Sequence, residues 1–294
     1  MSDKLFDRVA LIGIGLIGSS LARVLRRDSP ETTIAACARR AETLDTVRRL
    51  NLADLVTDDP AKAVAGADLV VIATPLSAYA EVARQIAPAL KPGAIVTDVG
   101  SVKEAAIREL QPLLPEGVHF VPGHPVAGTE HSGPESGFSE LFHDRWCILT
   151  PLPETAPEAV AKVTALWQGA GMRVTTMPAE HHDKVLAVTS HLPHLIAYTI
   201  VGTATELGDD LQSEVVAYSA GGFRDFTRIA ASDPVMWRDI FLNNREAVLE
   251  ILQRFNEDLT ALQRAIRWGE GDKLQDLFTR TRAIRRSIIE AKQA

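Results

Sequence analysis

The sequence is short of several things, and each shortage narrows what the chain can do. Two cysteines, Cys37 and Cys147, stand among apolar neighbours in 294 residues. So sparse a set builds neither a disulfide framework nor a thiolate metal centre, and reads as two small buried thiols of a reducing compartment. Positive charge is in deficit, with 31 Lys and Arg against 38 Asp and Glu and a formal charge of −7. Nucleic-acid binding needs a basic face to displace counterions, and this balance argues against it. No run reaches the roughly 18 apolar residues that a membrane span needs, and the first eight residues mix both signs of charge without an apolar leader core. Repeats and low-complexity tracts are missing as well. What remains, 46% hydrophobic and 23% charged, is the balance of a globular chain with room for two domains, expected in the cytoplasm.

The first part alternates short apolar runs with helical patterns, the rhythm of βαβ units. Strands are predicted at Arg8–Ile14, Thr33–Ala38, Asp68–Thr74, Ala94–Val99 and Val118–Pro122, then at Cys147–Thr150 and Arg173–Met177 around a helix near Pro157–Gly169. Unbroken runs such as Leu69 to Ala73 suit parallel strands buried on both faces. After about Pro178 the strand signals stop, and from Asp183 the pattern is helical to the end. Val248, Leu252, Phe255, Leu259, Leu262 and Ile266 form one apolar stripe; Leu274, Leu277, Thr281, Ile284 and Ile288 form another beyond Gly269 and Gly271. Both are helix-packing faces. A homodimer through these C-terminal helices is expected, although packing within one chain gives the same pattern. The predicted class is α/β, a doubly wound sheet over residues 1–178 joined to an all-helical domain over residues 179–294.

Gly13-Ile14-Gly15-Leu16-Ile17-Gly18 follows the first strand and opens a helix. The first glycine allows the tight turn, the second lets a pyrophosphate approach the backbone, and the third permits close helix–strand packing, as in Rossmann-type dinucleotide sites. Thr74 and Pro75, past a neighbouring strand, join Gly13, Gly15, Leu16, Ile17 and Gly18 as expected cofactor contacts. NAD-preferring sites usually place an acid at the end of the second strand. Here that tip carries Arg39 and Arg40. Guanidinium groups suit a 2′-phosphate, so NADP is slightly favoured over NAD; the alternative is two solvated loop charges.

Three polar clusters fall past strand ends or on the helical part: Asp98 to Lys103, Gly123 to Glu130, and Ser190 to His194 with Gly221 to Arg228. The Gly-Ser-Val-Lys turn, His-Pro-Val-Ala-Gly-Thr-Glu, Ser-His-Leu-Pro-His and Asp-Phe-Thr-Arg-Ile-Ala, in this order behind the glycine loop, resemble the prephenate/arogenate (cyclohexadienyl) dehydrogenase family from about Arg8 to Leu262. That resemblance implies a Rossmann domain, a helical dimerisation domain, and loss of hydride and carbon dioxide from a cyclohexadienol. It gives His124 the role of base, Ser101 that of orienting the substrate hydroxyl and His124, and Arg228 the grip on a substrate carboxylate. Glu130 and Asp225 would form an ionic network around Arg228, with His194 and Trp237 beside the substrate.

Each residue also has a plainer reading: a turn histidine for His124, an N-cap for Ser101, a salt bridge for Arg228, a core tryptophan for Trp237. Lys103 reads as a solvated lysine early in a helix. His191 and His194 share a helix face, but no cysteine or carboxylate set accompanies them, and no metal is expected. Pro193 should kink its helix. A β-hydroxyacid dehydrogenase would want an asparagine four residues past Lys184, where Val188 stands. An imine reductase would leave His124 and Arg228 without a role, and so would a non-catalytic NAD(P) sensor. No residue decides between prephenate and arogenate, and neither a regulatory domain nor a fused mutase is expected.

Overall fold

Alternate residues of the apolar runs go to opposite faces of one sheet. Val9 and Leu11 pack on one side with Ile34, Leu69 and Val71, while Ala10 and Ile12 pack on the other with Val70, Ile72 and Val96. A strand buried on both faces needs this unbroken hydrophobicity. The computed structural model describes residues 4–206 and 221–290. Its main sheet contains β1 (Arg8–Ile12), β2 (Thr33–Cys37), β3 (Leu55–Thr57), β4 (Leu69–Ile72), β5 (Ile95–Asp98) and β6 (His119–Val121). All pairs are parallel, in the order β3-β2-β1-β4-β5-β6. That order reverses direction between β1 and β4, the place where doubly wound sheets open a crevice.

Helices α1 (Leu16–Asp28) and α6 (Pro157–Gly169) belong to the first core, and α4 (Tyr79–Ile86) and α5 (Lys103–Leu110) to the second. α2 (Ala41–Arg49) and α3 (Pro60–Val64) complete the crossovers. A smaller sheet follows, with β7 (Gly123–Pro125) antiparallel to β8 (Trp146–Leu149) and β8 parallel to β9 (Arg173–Thr176). The seven predicted strands are present. β3 and β7 were not expected: β3 is only three residues long, and β7 is a Gly-His-Pro whose ends read as a turn. Pro125 is tolerated because β7 is an edge strand, where a missing N–H leaves no ladder bond unmade.

Helices then run from α7 (Ala179–Leu186) through a π turn at Ala187–His191 into α8 (Leu192–Thr205), and on through α9 (Gly221–Thr227) and α10 (Pro234–Asn243). Helix begins at Ala179, four residues before the sequence suggests. Pro193 has no N–H for Thr189, and its ring crowds that carbonyl; the widened turn absorbs the conflict, as π-bulges do. The stretch Ala179–Thr205 is long and apolar enough to cross a membrane by length and composition alone, which the sequence reading did not anticipate. Its His182, Asp183 and His191 are instead buried in polar contacts.

By internal contacts the chain divides into Met1–Arg245 and Glu246–Ala294. The smaller unit holds α11 (Arg245–Arg267, its first residue in the larger unit) and α12 (Gly271–Glu290), separated at Gly269, whose φ is +66°. The predicted stripes lie there partly uncovered: Leu259, Ile266 and Ile284 are each more than half exposed, while Val248 is buried and Leu252, Phe255, Leu262, Leu274 and Leu277 are half-buried. The side chain of Ile288 is outside the described residues.

The glycine turn shows why its spacing is tight. Gly13 has φ +96°, and a Cβ there would lie 2.4 Å from Ala73 O. A Cβ on Gly18 would lie 2.3 Å from Gly13 O. Gly18→Ala is therefore expected to destabilise the fold by about 2 kcal/mol, the usual scale of overpacking. Urea unfolding checks this: the midpoint should fall at constant m, and an unchanged midpoint would refute the close packing.

Candidate active site

The site starts at the N-terminus of α1. Gly15 is the N-cap, no side chain caps the helix, and its first turn carries no acid. The leading N–H groups and the positive helix end are thus available to an anion. A Cβ on Gly15 would meet nothing within 4 Å, so the backbone is open on that side. Leu16 and Ile17 lean on the core below. Past β4, Thr74 Oγ1 is buried without a hydrogen-bond partner among the described residues, and Pro75 is exposed. Arg39 and Arg40 are exposed past the end of β2, with no ion pair among the described residues. An open backbone cradle, an orphaned hydroxyl and unpaired guanidinium groups fit a dinucleotide.

At the ends of β5 and β6 lies a buried polar cluster that the sequence reading missed. Lys103 is not solvated: its side chain and that of Asp98 are both 0% exposed and form an ion pair. The chain turns after Val102 so that the first side chain of α5 points inward, beneath β7. Asp98 also accepts from Tyr79 Oη at 3.0 Å, Gly100 N at 2.9 Å and Gly123 N at 3.1 Å. Lys103 Nζ donates to Gly123 O at 2.7 Å. Burial lowers the Lys103 pKa, and Asp98 opposes it. The residue next to His124 is thereby held on both its N–H and its C=O.

Ser101 does not cap α5. The first N–H groups of that helix, from Lys103 and Glu104, are taken at 2.7 and 2.9 Å by the carboxylate of Asp183, eighty residues away on α7. Asp183 Oδ1 also accepts from His182 Nδ1 at 2.7 Å, and His182 Nε2 lies 2.8 Å from His124 Nδ1. His124 itself is 7% exposed. Burial foremost, then His182, Lys103 and His191, pushes its pKa well below the ordinary histidine range, so the imidazole is neutral at physiological pH. His182 is the side-chain partner of His124 Nδ1, and the half-buried Ser101 hydroxyl has no hydrogen bond among the described residues.

Further along the same helical run, His191 Nδ1 accepts from Asn244 Nδ2 at 3.0 Å, and that amide also donates to Asp183 O at 2.8 Å. His194 donates from Nδ1 to Ser190 O at 2.9 Å and stacks on Trp237 with centroids 3.6 Å apart. Trp237 is buried, in the second core. Arg228 Nη1 donates to Glu130 Oε2 at 2.9 Å, and the arginine side chain stays 58% exposed. The Glu130 backbone N–H and Arg228 hold that carboxylate below its usual pKa. Asp225 does not join them: it is exposed and pairs with its neighbour Arg224. On α9 a residue three before Arg228 has a guanidinium closer at hand. The larger unit therefore contains the glycine turn, His124, His194, Trp237, Arg228 and Glu130 together.

Two family models match the chain: prephenate dehydrogenase, nucleotide-binding domain, over residues 21–176, and prephenate dehydrogenase, dimerization domain, over residues 178–280. The chain is 45% identical over 283 residues to the cyclohexadienyl dehydrogenase of Zymomonas mobilis, covering 96% of each. It matches the structure of prephenate dehydrogenase from Aquifex aeolicus in complex with hydroxyphenyl propionate and NAD+ with a TM-score of 0.89. Identity there is 34%, over 96% of this chain and 98% of that one. Synechocystis arogenate dehydrogenase gives a TM-score of 0.78 at 28% identity, over 95% and 98%.

The buried histidines set a pH dependence. Burial foremost, against the pull of Asp183, brings His191 from 6.5 to about 4. Between those values the unfolded chain binds a proton that the folded chain refuses, so stability is present above the upper value and is lost as pH falls towards the lower. At about 1.4 kcal/mol per pKa unit, His191 alone accounts for a loss of roughly 3 kcal/mol. Urea unfolding between pH 7 and 4 should show this decline, and His191→Gln should flatten it; equal slopes for the two proteins would contradict the assignment.

Proposed function

The chain belongs to the prephenate dehydrogenase family, and on that premise we propose that it oxidises prephenate and arogenate with loss of carbon dioxide, towards tyrosine. The observation that carries this reading is the buried, uncharged His124, held within the same compact unit as the glycine turn and the Arg228–Glu130 pair. A bound nicotinamide would supply the hydride acceptor. The pyrophosphate would lie on the N-terminus of α1, over Gly13, Gly15 and Gly18, with Leu16, Ile17, Thr74 and Pro75 lining the approach.

His124 takes the proton of the substrate hydroxyl as that carbon loses hydride. The C–O bond becomes a carbonyl, and departure of the ring carboxylate as carbon dioxide sends its electron pair through the ring to that oxygen, which regains the proton held on His124 to give a phenol. A histidine that is uncharged before the reaction can do this at neutral pH. Ser101, whose hydroxyl is uncommitted, orients the substrate hydroxyl. Arg228 grips a carboxylate, turning on its exposed stem without leaving Glu130, since a guanidinium has donors enough for both. His194, its Nδ1–H spent on Ser190 O, offers Nε2 as an acceptor and is kept in plane by Trp237. The relative called a cyclohexadienyl dehydrogenase supports acceptance of both substrates.

Arg39 and Arg40 support use of NADP beside NAD. The exposed stripe residues Leu259, Ile266 and Ile284 of α11 and α12 and the dimerization-domain match support a homodimer. We place the domain boundary at 178/179, a reading supported by a nucleotide-binding-domain match that ends at residue 176 and a dimerization-domain match that begins at residue 178, and the protein in the cytoplasm.

Reduction of NAD+ and NADP+, each with prephenate and with arogenate, tests the reading by absorbance of the reduced nicotinamide. Turnover is expected with both substrates; silence in all four pairings, with cofactor bound, would overturn the proposal. His124→Asn should lower kcat by roughly 100-fold to 10,000-fold while cofactor affinity stays unchanged. Arg228→Ala should chiefly raise the substrate KM, by roughly 30-fold for a lost charged hydrogen bond of about 2 kcal/mol. An unaltered KM would remove Arg228 from the substrate site. Replacing Arg39 and Arg40 with alanine should raise the KM for NADP+ and leave that for NAD+ in place.

A further inference from the structure

The base of the proposed reaction has a chain of buried groups behind it. Asp183 is an acceptor on both oxygens, taking the N–H groups of Lys103 and Glu104 and the Nδ1–H of His182. With Nδ1 as the donor, a neutral His182 has only a lone pair at Nε2. The ring 2.8 Å away, His124, must then donate from Nδ1, which leaves its Nε2 bare. We infer that His182 is a positioning residue that, backed by Asp183, locks His124 as the Nδ1–H tautomer and so leaves Nε2 unprotonated for the substrate hydroxyl. This rests on the proposed function for the identity of the proton donor, but not for the tautomer.

The competing arrangement is a charged His182 that donates from both nitrogens and forces His124 to carry its proton on Nε2, where it could not act as a base. The surroundings disfavour it. His182 and His124 are both buried. The ammonium of Lys103 acts on both rings and opposes a second positive charge on either. The acids near His182 are Asp183 and Asp98. Asp183 serves the end of α5, and Asp98 is bound by Lys103, Tyr79 and two backbone N–H groups. His191, the remaining imidazole acting on His124, is itself kept uncharged by burial. A side-chain acceptor that fixes the tautomer of a catalytic histidine is the arrangement of the serine-protease triad. Here a second imidazole stands between carboxylate and base, so the carboxylate can serve a helix terminus at the same time.

The tautomer is read on the protein alone by long-range 1H–15N correlation of the histidine side chains, with His124 assigned by its loss in His124→Asn. Wild type should show a protonated Nδ1 and a bare Nε2 at His124. In His182→Leu, which offers no acceptor, the population should shift towards Nε2–H. In His182→Gln the amide oxygen can still accept, and Nδ1–H should persist. Turnover should follow the same order: His182→Leu should lose roughly 100-fold or more in kcat, the scale of general-base catalysis, with cofactor affinity unchanged, and His182→Gln should recover a large part. An Nε2–H tautomer in wild type, or equal turnover in the two variants, would overturn the inference. Wild type needs no folded variant to give its answer. Absence of turnover with a bare Nε2 would count against the proposed reaction and leave the tautomer lock standing.

Discussion

The polar interior of this protein depends on the ion pair of Lys103 with Asp98. Neither side chain touches water, and a buried charge is tolerated only when it is paired and its remaining hydrogen bonds are met. Both conditions hold here. Asp98 collects donors from α4, from the turn after β5 and from the start of β7, while Lys103 reaches from α5 to the carbonyl of Gly123. Four elements are thereby fixed at the residue preceding His124. Removing either partner would strand the other, a loss of about 3–5 kcal/mol in comparable cases, so the pair specifies where the base stands as well as whether the domain holds.

A second tie fastens the helical part to the sheet. The N-terminus of α5 has no local cap, and Asp183 supplies one from α7. The same carboxylate orients His182, and its backbone carbonyl holds the amide of Asn244, which in turn holds His191. The π turn that answers Pro193 ends at His191 and directs His194 onto Trp237. Backbone demands and catalytic demands are met by the same few groups.

Most of the fold was legible from the sequence because its signals are local. Alternating apolar runs and helices, the glycine turn, and the change to helix near Pro178 each depend on neighbours in the chain. What escaped depended on distant partners. Lys103 looked solvated because nothing in Gly-Ser-Val-Lys shows that the side chain turns inward to an aspartate five residues earlier. His182 stands beside His181 outside the motifs that carry the resemblance, and only the fold brings it to His124. His-His-Asp was nonetheless a visible signal, with two imidazoles and a carboxylate in line at a helix start. β7 was hidden because glycine and proline flank its one informative residue. His124, Arg228 and Glu130 were legible through their motifs, whereas Asp225 was placed with Arg228 by analogy and in the structure finds Arg224 instead.

The second apolar core has an architectural consequence. It joins Ile72 and Val96 of the sheet and Ala105 of α5 to Trp237 and Ile240 of α10, so residues more than 130 positions apart share one dry interior. The nucleotide-binding half is therefore not a detachable cassette. Cut at the point where the sequence changes character, it would bare the apolar flank on which α10 rests, and a graft from a relative would need to bring α10 and its contact residues with it.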